Sequence, residues 1–247
     1  MKGLRRLATV EMKMFIRETE SFFFTLVFPL ILLFLFGSIY GNKPSNFFGG
    51  HGAVDVSVPG YISLIIANAG FLTMGAIIAG YREQGVLRRY RATPLNPVSL
   101  LAAQLLTVLI MTVSSTLLLT AAAKVFYDLK FYGNVLHFAG AFAISLVSLC
   151  AGGFVVASIA RSSRAATLML MTVFYPMIFL SGATIPREVL PSSVQKFSKF
   201  LPLTHSVTIL RGTWFGHSLG EFGVEILILV ILAVICIAVS RLVFRWE

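Results

Sequence analysis

Apolar residues in this chain gather into long unbroken runs, without the strict alternation of a half-buried strand. Six runs reach the roughly 20 residues that a helix needs to cross a hydrocarbon layer about 30 Å thick. They cover residues 22–40, 59–81, 98–123, 135–160, 165–182 and 222–243. None has the ten-residue alternating texture of an outer-membrane barrel, so the pattern predicts an all-α membrane protein with six transmembrane helices.

The stretches between the runs predict different connectors. Along residues 1–20, Lys2, Arg6, Lys13 and Arg17 fall on one helical side and Leu4, Leu7, Ala8, Met14 and Phe15 on the other, the pattern of a helix lying in the membrane interface. Glu11 lands on the apolar side, where its carboxylate needs an arginine or a protein partner. Residues 42–58 are rich in Gly, Asn and Ser and end at Pro59, which predicts a loop or short hairpin. Residues 183–221 are too apolar for a solvated loop. There Ser192 is placed to cap a short helix burying Val194, Phe197 and Phe200, and Pro202 opens a second apolar segment. Such short helices are expected to dip back into the outer leaflet as a re-entrant gate, with Pro202, His205 and Arg211 as its candidate residues.

Composition supports the class and charge sets the topology. The chain is 57% hydrophobic and 12% charged, with mean hydropathy +0.88, whereas soluble domains carry roughly 25% charged residues. With the N-terminus inside, thirteen of the 20 Lys and Arg residues fall in cytoplasmic segments, so both termini are expected in the cytoplasm. The formal charge of +10 is then mainly a topological signal, and no nucleic acid is expected as a partner. The first run lies behind several charges and lacks a small-x-small site after it, so no removable leader is expected.

Few residues inside the spans carry chemistry. Asn68 stands near the middle of the second run with Gly70, Thr73, Gly75 and Gly80, where its amide must face protein or a cavity; an interhelical hydrogen bond and a substrate contact both fit. Gly152 and Gly153 would permit a close helix crossing in the fourth run. The fifth run places Met171, Phe174 and Tyr175 beside Pro176, which suits a loose core or a pathway for greasy ligands. All Asp and Glu residues fall in expected loops, terminal segments or, for Glu225, at a span's edge, which leaves little for a proton- or sodium-driven carrier. There is no G-x-x-x-x-G-K-[ST], G-x-S-x-G, H-E-x-x-H or C-x-x-C, so no catalytic residue is assigned. His205 and His217 lack a carboxylate or cysteine at ligand spacing, and Cys150 and Cys236 both fall inside spans, so no metal or bound cofactor is expected.

The longest polar run between two spans, residues 82–97, reads REQGVLRRYRATPLNP. Positive-inside bias alone accounts for a basic loop. The order Arg82-Glu83-Gln84-Gly85-Val86-Leu87-Arg88-Arg89-Tyr90-Arg91-Ala92-Thr93-Pro94 goes further, because it resembles the inner loop of ABC-2 type permeases, patterned R-E-x-G-[TV]-L-x-x-x-x-[AS]-T-P. The later run Ser181-Gly182, Pro186, Leu190-Pro191, Leu201-Pro202-Leu203-Thr204-His205 and Arg211-Gly212 is similar to that family's outer region.

The resemblance implies a half-transporter in a prokaryotic plasma membrane: two such permeases, identical or paralogous, pair in the bilayer, and two separate ATP-binding subunits dock beneath and use ATP and Mg. In that reading Arg82, Glu83, Gly85, Leu87, Arg88, Arg89, Thr93 and Pro94 couple the permease to its ATPase. Asn68, Phe71, Met171, Phe174 and Tyr175 would lie on the substrate pathway at the dimer interface. The intact R-x-x-A-T-P around Arg89 is most like the drug and antibiotic branch, which implies export of a hydrophobic small molecule or lipid-like compound. An exporter of polysaccharide or lipid-linked glycan, favoured by a continuous aromatic groove, and a cargo-free membrane scaffold, favoured by the absence of a cavity near Asn68, are the competing readings.

Overall fold

The computed structural model describes residues 19–45, 48–86, 97–184 and 191–243, with side chains of the third long helix from Leu101 onward. The interfacial helix expected over residues 1–20 and the loop residues Leu87, Arg88, Arg89, Thr93 and Pro94 therefore lie outside the described residues, apart from a helical start at Thr19.

Everything regular in the described residues is helical, with no strand, and six helices there are long and apolar enough to cross a membrane. The first span joins α1 (Thr19–Phe22), a π-helical turn (Phe23–Val27) and α2 (Phe28–Tyr40). The second joins α3 (Ala53–Ile66), a π-helical segment (Ala67–Thr73) and α4 (Met74–Glu83) into one rod, Ala53–Glu83. The others are α5 (Pro97–Tyr127), α6 (Val135–Ile159), α7 (Ser163–Leu180) and α10 (Gly223–Val243), the last preceded by a 3-10 turn, Leu219–Phe222. Between α7 and α10 stand α8 (Ser192–Ser198) and α9 (Pro202–Trp214).

The second span is the axis of the bundle. In its most apolar stretch 83% of residues are buried, against 11% for the span that ends the chain, so the other helices wrap the former and the latter faces outward. Apolar side chains on that outer surface are stable because lipid is as apolar as leucine. The axial helix begins at Ala53, not at Pro59, so part of the expected 42–58 loop is helix. Pro59 sits about two turns in and deprives only one carbonyl of its amide partner. Asp55, read from sequence as a loop acid, is consequently buried in the first turn of this helix.

What replaces the water that Asp55 has lost is a set of neutral donors. Its Oδ1 accepts from Asn42 Nδ2 and from the Lys130 backbone N, each at 3.0 Å. Asn42 returns the contact, its Oδ1 accepting from Asp55 N at 3.1 Å while its Nδ2 also donates to Tyr127 O at 3.0 Å. A buried carboxylate is tolerated where such bonds meet it. The cluster ties the loop after the first span, the start of the second and the turn after the third at one end of the bundle.

The sequence expectation for α8 needs correcting. Pro191, not Ser192, is the N-cap, and no side chain caps this helix. Phe197 and Phe200 are 58% and 84% exposed while Ser198 is buried, so the aromatics point away from the protein. Of the three residues expected inside, Val194 alone is partly covered.

Candidate functional site

The two sides of the axial helix differ. Toward α6, small residues let backbone meet backbone. A Cβ added to Gly153 would lie 2.4 Å from Phe71 O, and one added to Gly75 would lie 2.9 Å from Gly153 O. Gly70 is equally tight, 3.0 Å from Cys150 Sγ. The glycines of the second and fourth runs thus form one crossing, too close for any side chain. Phe71 belongs to this closed side: its ring covers Gly152.

Toward the first span and α7 the rod opens. The two π-helical segments face each other there, and Asn68 Nδ2 donates to Thr25 Oγ1 at 2.8 Å, both residues about 1% exposed. A π turn widens the helix by one residue and breaks the regular ladder, a feature frequent at functional sites. Beside this bond lies a cavity of about 140 Å³ lined by Phe24, Phe28, Leu64, Asn68, Phe174, Tyr175, Ile178 and Phe179. Only apolar atoms face it. Phe24 packs on Phe28 at 5.6 Å between ring centroids, and Phe174 meets Tyr175 edge-on at 5.8 Å. Phe174 is buried, while Tyr175 and Phe179 form an exposed rim.

Of the five residues predicted for the substrate pathway, Asn68, Phe174 and Tyr175 therefore converge on one cavity. Phe71 turns to the opposite side of its helix, and the half-buried Met171 is not among the lining residues. Thr25 joins the site through its bond to Asn68, and Phe24 and Phe28 line the cavity; no motif in the sequence marks them.

At the end of the bundle that carries residues 82–86, the predicted coupling residues make bonds inside the chain. Arg82 Nη1 donates to Ala157 O and Ser158 O, each at 3.0 Å, and Nη2 donates to Ala160 O. These are carbonyls at the last turn of α6, which lack amide partners within the helix. Glu83 Oε2 accepts from Ser163 N at 2.8 Å, at the first turn of α7. Gly85 then ends the axial helix with φ +66°, its N donating to Arg82 O at 3.1 Å. No neighbouring atom lies within 4 Å of a Cβ built there, so backbone conformation and not close packing is what glycine supplies within this chain.

At the opposite end the predicted gate residues share α9, which packs among α3, α6 and α10 with most of its length buried. Pro202 occupies its first turn, where a missing amide costs nothing. His205 is buried, and its Nε2 lies 2.8 Å from Lys199 O. Arg211 borders a hollow of about 10 Å³ with Ser57, Gly60, Ala183 and Thr184. The tip of α9 is fixed by Trp214 Nε1 donating to Lys130 O at 3.2 Å, which joins it to the Asp55 cluster. Contrary to the sequence expectation, His217 has a carboxylate one turn away and pairs with it, Nδ1 to Glu221 Oε2 at 2.9 Å. Among the described residues no three His, Cys, Asp or Glu side chains gather as a metal site.

A six-span helical bundle with separate polar ends and an apolar cavity between its first, second and fifth spans is a membrane-embedded domain. Residues 3–215 match the family described as ABC-2 type transporter, and the chain belongs to that family. It is a multi-pass protein of the plasma membrane. It is 28% identical over 156 residues to the inner membrane transport permease YhhJ of Escherichia coli K12, covering 62% of this chain and 42% of that protein. Against nodulation protein J of Rhizobium leguminosarum bv. viciae the identity is 34% over 103 residues, covering 42% of this chain and 40% of that one. Against the probable multidrug ABC transporter permease YbhR of E. coli K12 it is 24% over 154 residues, covering 62% and 42%. The chain spans about two fifths of the length of these relatives.

Proposed function

We propose that this chain is the membrane permease of an ATP-binding cassette exporter and moves a hydrophobic small molecule or lipid-like compound out of the cytoplasm or inner leaflet. The observation that carries the reading is the apolar cavity at Asn68, walled by Phe24, Phe28, Phe174 and Tyr175. At about 140 Å³ it is smaller than the roughly 300–1,000 Å³ of pockets that enclose a drug-sized ligand. Its exposed rim at Tyr175 and Phe179 suits completion by a second copy, or a paralogous permease, across a dimer interface. A cargo-free scaffold has no use for such a space, and the aromatic walls converge on one compact cavity, which favours a small molecule over an extended glycan.

Energy enters, in this reading, from two separate ATP-binding subunits that use ATP and Mg and act through residues 82–97, with Arg82, Glu83 and Gly85 at the start of that loop and Leu87, Arg88, Arg89, Thr93 and Pro94 further along it. Helices α8 and α9 act as the outer re-entrant gate, with Pro202, His205 and Arg211, and both termini are cytoplasmic. Proteoliposomes holding the chain with its ATP-binding subunit test the proposal directly. Hydrophobic compounds are expected to stimulate hydrolysis in the wild type, and Phe174→Trp, which fills the cavity, is expected to abolish that stimulation. Equal stimulation of both proteins would sink the proposal.

A further inference from the structure

Resting on the transporter reading above, we infer that Arg82 and Glu83 form an internal clasp that makes the ends of the second, fourth and fifth spans one mechanical body. They would then transmit the ATPase's motion instead of receiving it. The two residues are consecutive at the last turn of α4, yet they grip two different helices. Arg82 takes three carbonyls from the open end of α6, and Glu83 takes an amide from the open end of α7. Each charge meets the helix end of opposite partial sign: a guanidinium at carbonyls, a carboxylate at an amide. The clasp thus spans the 160–162 turn from both sides, and Gly85 turns the chain away immediately afterwards.

Two geometric consequences follow. Arg82 is half-buried, and two of its nitrogens are already bonded to the fourth span, so its fork is committed within the chain. A pull on the loop beyond Gly85 reaches the turn between α6 and α7 through these bonds, not only through α4. Because α7 carries Phe174 and Tyr175, the same pull reaches the cavity wall directly. Arg82 and Glu83 are positioning residues in this scheme, and the surface gripped by the partner lies beyond them.

Spin labels at Gln84→Cys and Arg161→Cys, both exposed positions, in a chain with Cys150→Ala and Cys236→Ala, test the clasp in nanodiscs. In the chain alone a single narrow distance is expected, and it should broaden when Arg82→Ala and Glu83→Ala are added. In the complex with its ATP-binding subunit the narrow distance should persist when nucleotide is trapped. A wild-type distance that is already broad, or one that shifts by several ångströms on trapping, overturns the clasp. Glu83→Gln separates the two roles functionally. Its side-chain carbonyl still accepts from Ser163 N, so it should retain most compound-stimulated hydrolysis, whereas Glu83→Ala should lose about fivefold or more. If Gln is as damaging as Ala, the hydrogen bond from Ser163 N is not what Glu83 supplies and the transmission role is wrong. Should the wild-type complex show no stimulation at all, the transporter reading fails, while the distances in the chain alone still decide whether the clasp exists.

Discussion

The two sides of the axial helix solve opposite problems with the same backbone. Against α6, Gly70, Gly75 and Gly153 bring main chain onto main chain and leave no room for a Cβ. Against the first span and α7, long aromatic side chains hold the helices apart and leave about 140 Å³ between them. The contrast teaches that rigidity here comes from removing side chains and adaptability from enlarging them. In lipid, packing and not water exclusion drives helix association, so the close crossing supplies the stability that the cavity side gives up.

Substituting across the closed side should have the largest effect. Gly153→Leu places its Cβ into Phe71 O, and overpacking of this kind costs roughly 1–3 kcal/mol or more. We expect loss of folded protein on size-exclusion chromatography in detergent. Were Gly153→Leu to melt like the wild type, the two sides would not differ as described.

The rim of the open side should behave in reverse. Tyr175→Ala is expected to alter which compounds stimulate hydrolysis while shifting stability by less than about 0.5 kcal/mol, since Tyr175 is 42% exposed. A large drop in melting temperature would show that the rim is structural.

Between these lies Asn68→Ala, which removes the bond joining the two π-helical segments. Interhelical hydrogen bonds in membranes average about 0.6 kcal/mol, with a maximum near 1.7. A double-mutant cycle with Thr25→Val should return a coupling of that size, and additive effects would show that the bond contributes nothing.

The smallest effect is expected at Asp128, on the solvent-exposed turn after α5. The hydrogen bond from Lys124 and that ammonium's charge hold its carboxyl below the ordinary carboxylate range. A carboxyl lowered in the folded state adds stability above its unfolded pKa and loses it as pH falls through the folded one. Asp128→Asn should therefore melt marginally lower than the wild type at neutral pH, with the gap closing below about pH 4. Asn also accepts the φ of 51° found there, so backbone strain does not confuse the comparison.

Hydropathy made the six spans legible, because nothing but a membrane rewards runs of that length. Gly152 and Gly153 read from sequence as permitting a close crossing, but only the fold shows that Gly153 meets Gly75. Pro59 is as compatible with the start of a helix as with a place early inside one, so the sequence does not locate the start at Ala53 or the burial of Asp55. The partners of Arg82 and Glu83 were invisible for another reason: they are backbone carbonyls and an amide, groups that every residue carries and no motif can mark. The π-helical turns leave no compositional trace, so Thr25 could not be paired with Asn68 beforehand.

The wholly apolar inner surface of the cavity has a consequence for selectivity. Asn68 stands in its wall, yet the amide nitrogen already donates to Thr25 and no polar atom faces the space. A cargo's hydroxyl or amine would find nothing there to recognise it and nothing left unpaired by its absence. Discrimination then falls to size and contour, where one methylene more or less changes preference by only about 10–200-fold. Under the proposed function such a wall sorts compounds by bulk, and changing a single ring in it would broaden or narrow the range by degrees without switching it from one chemical class to another.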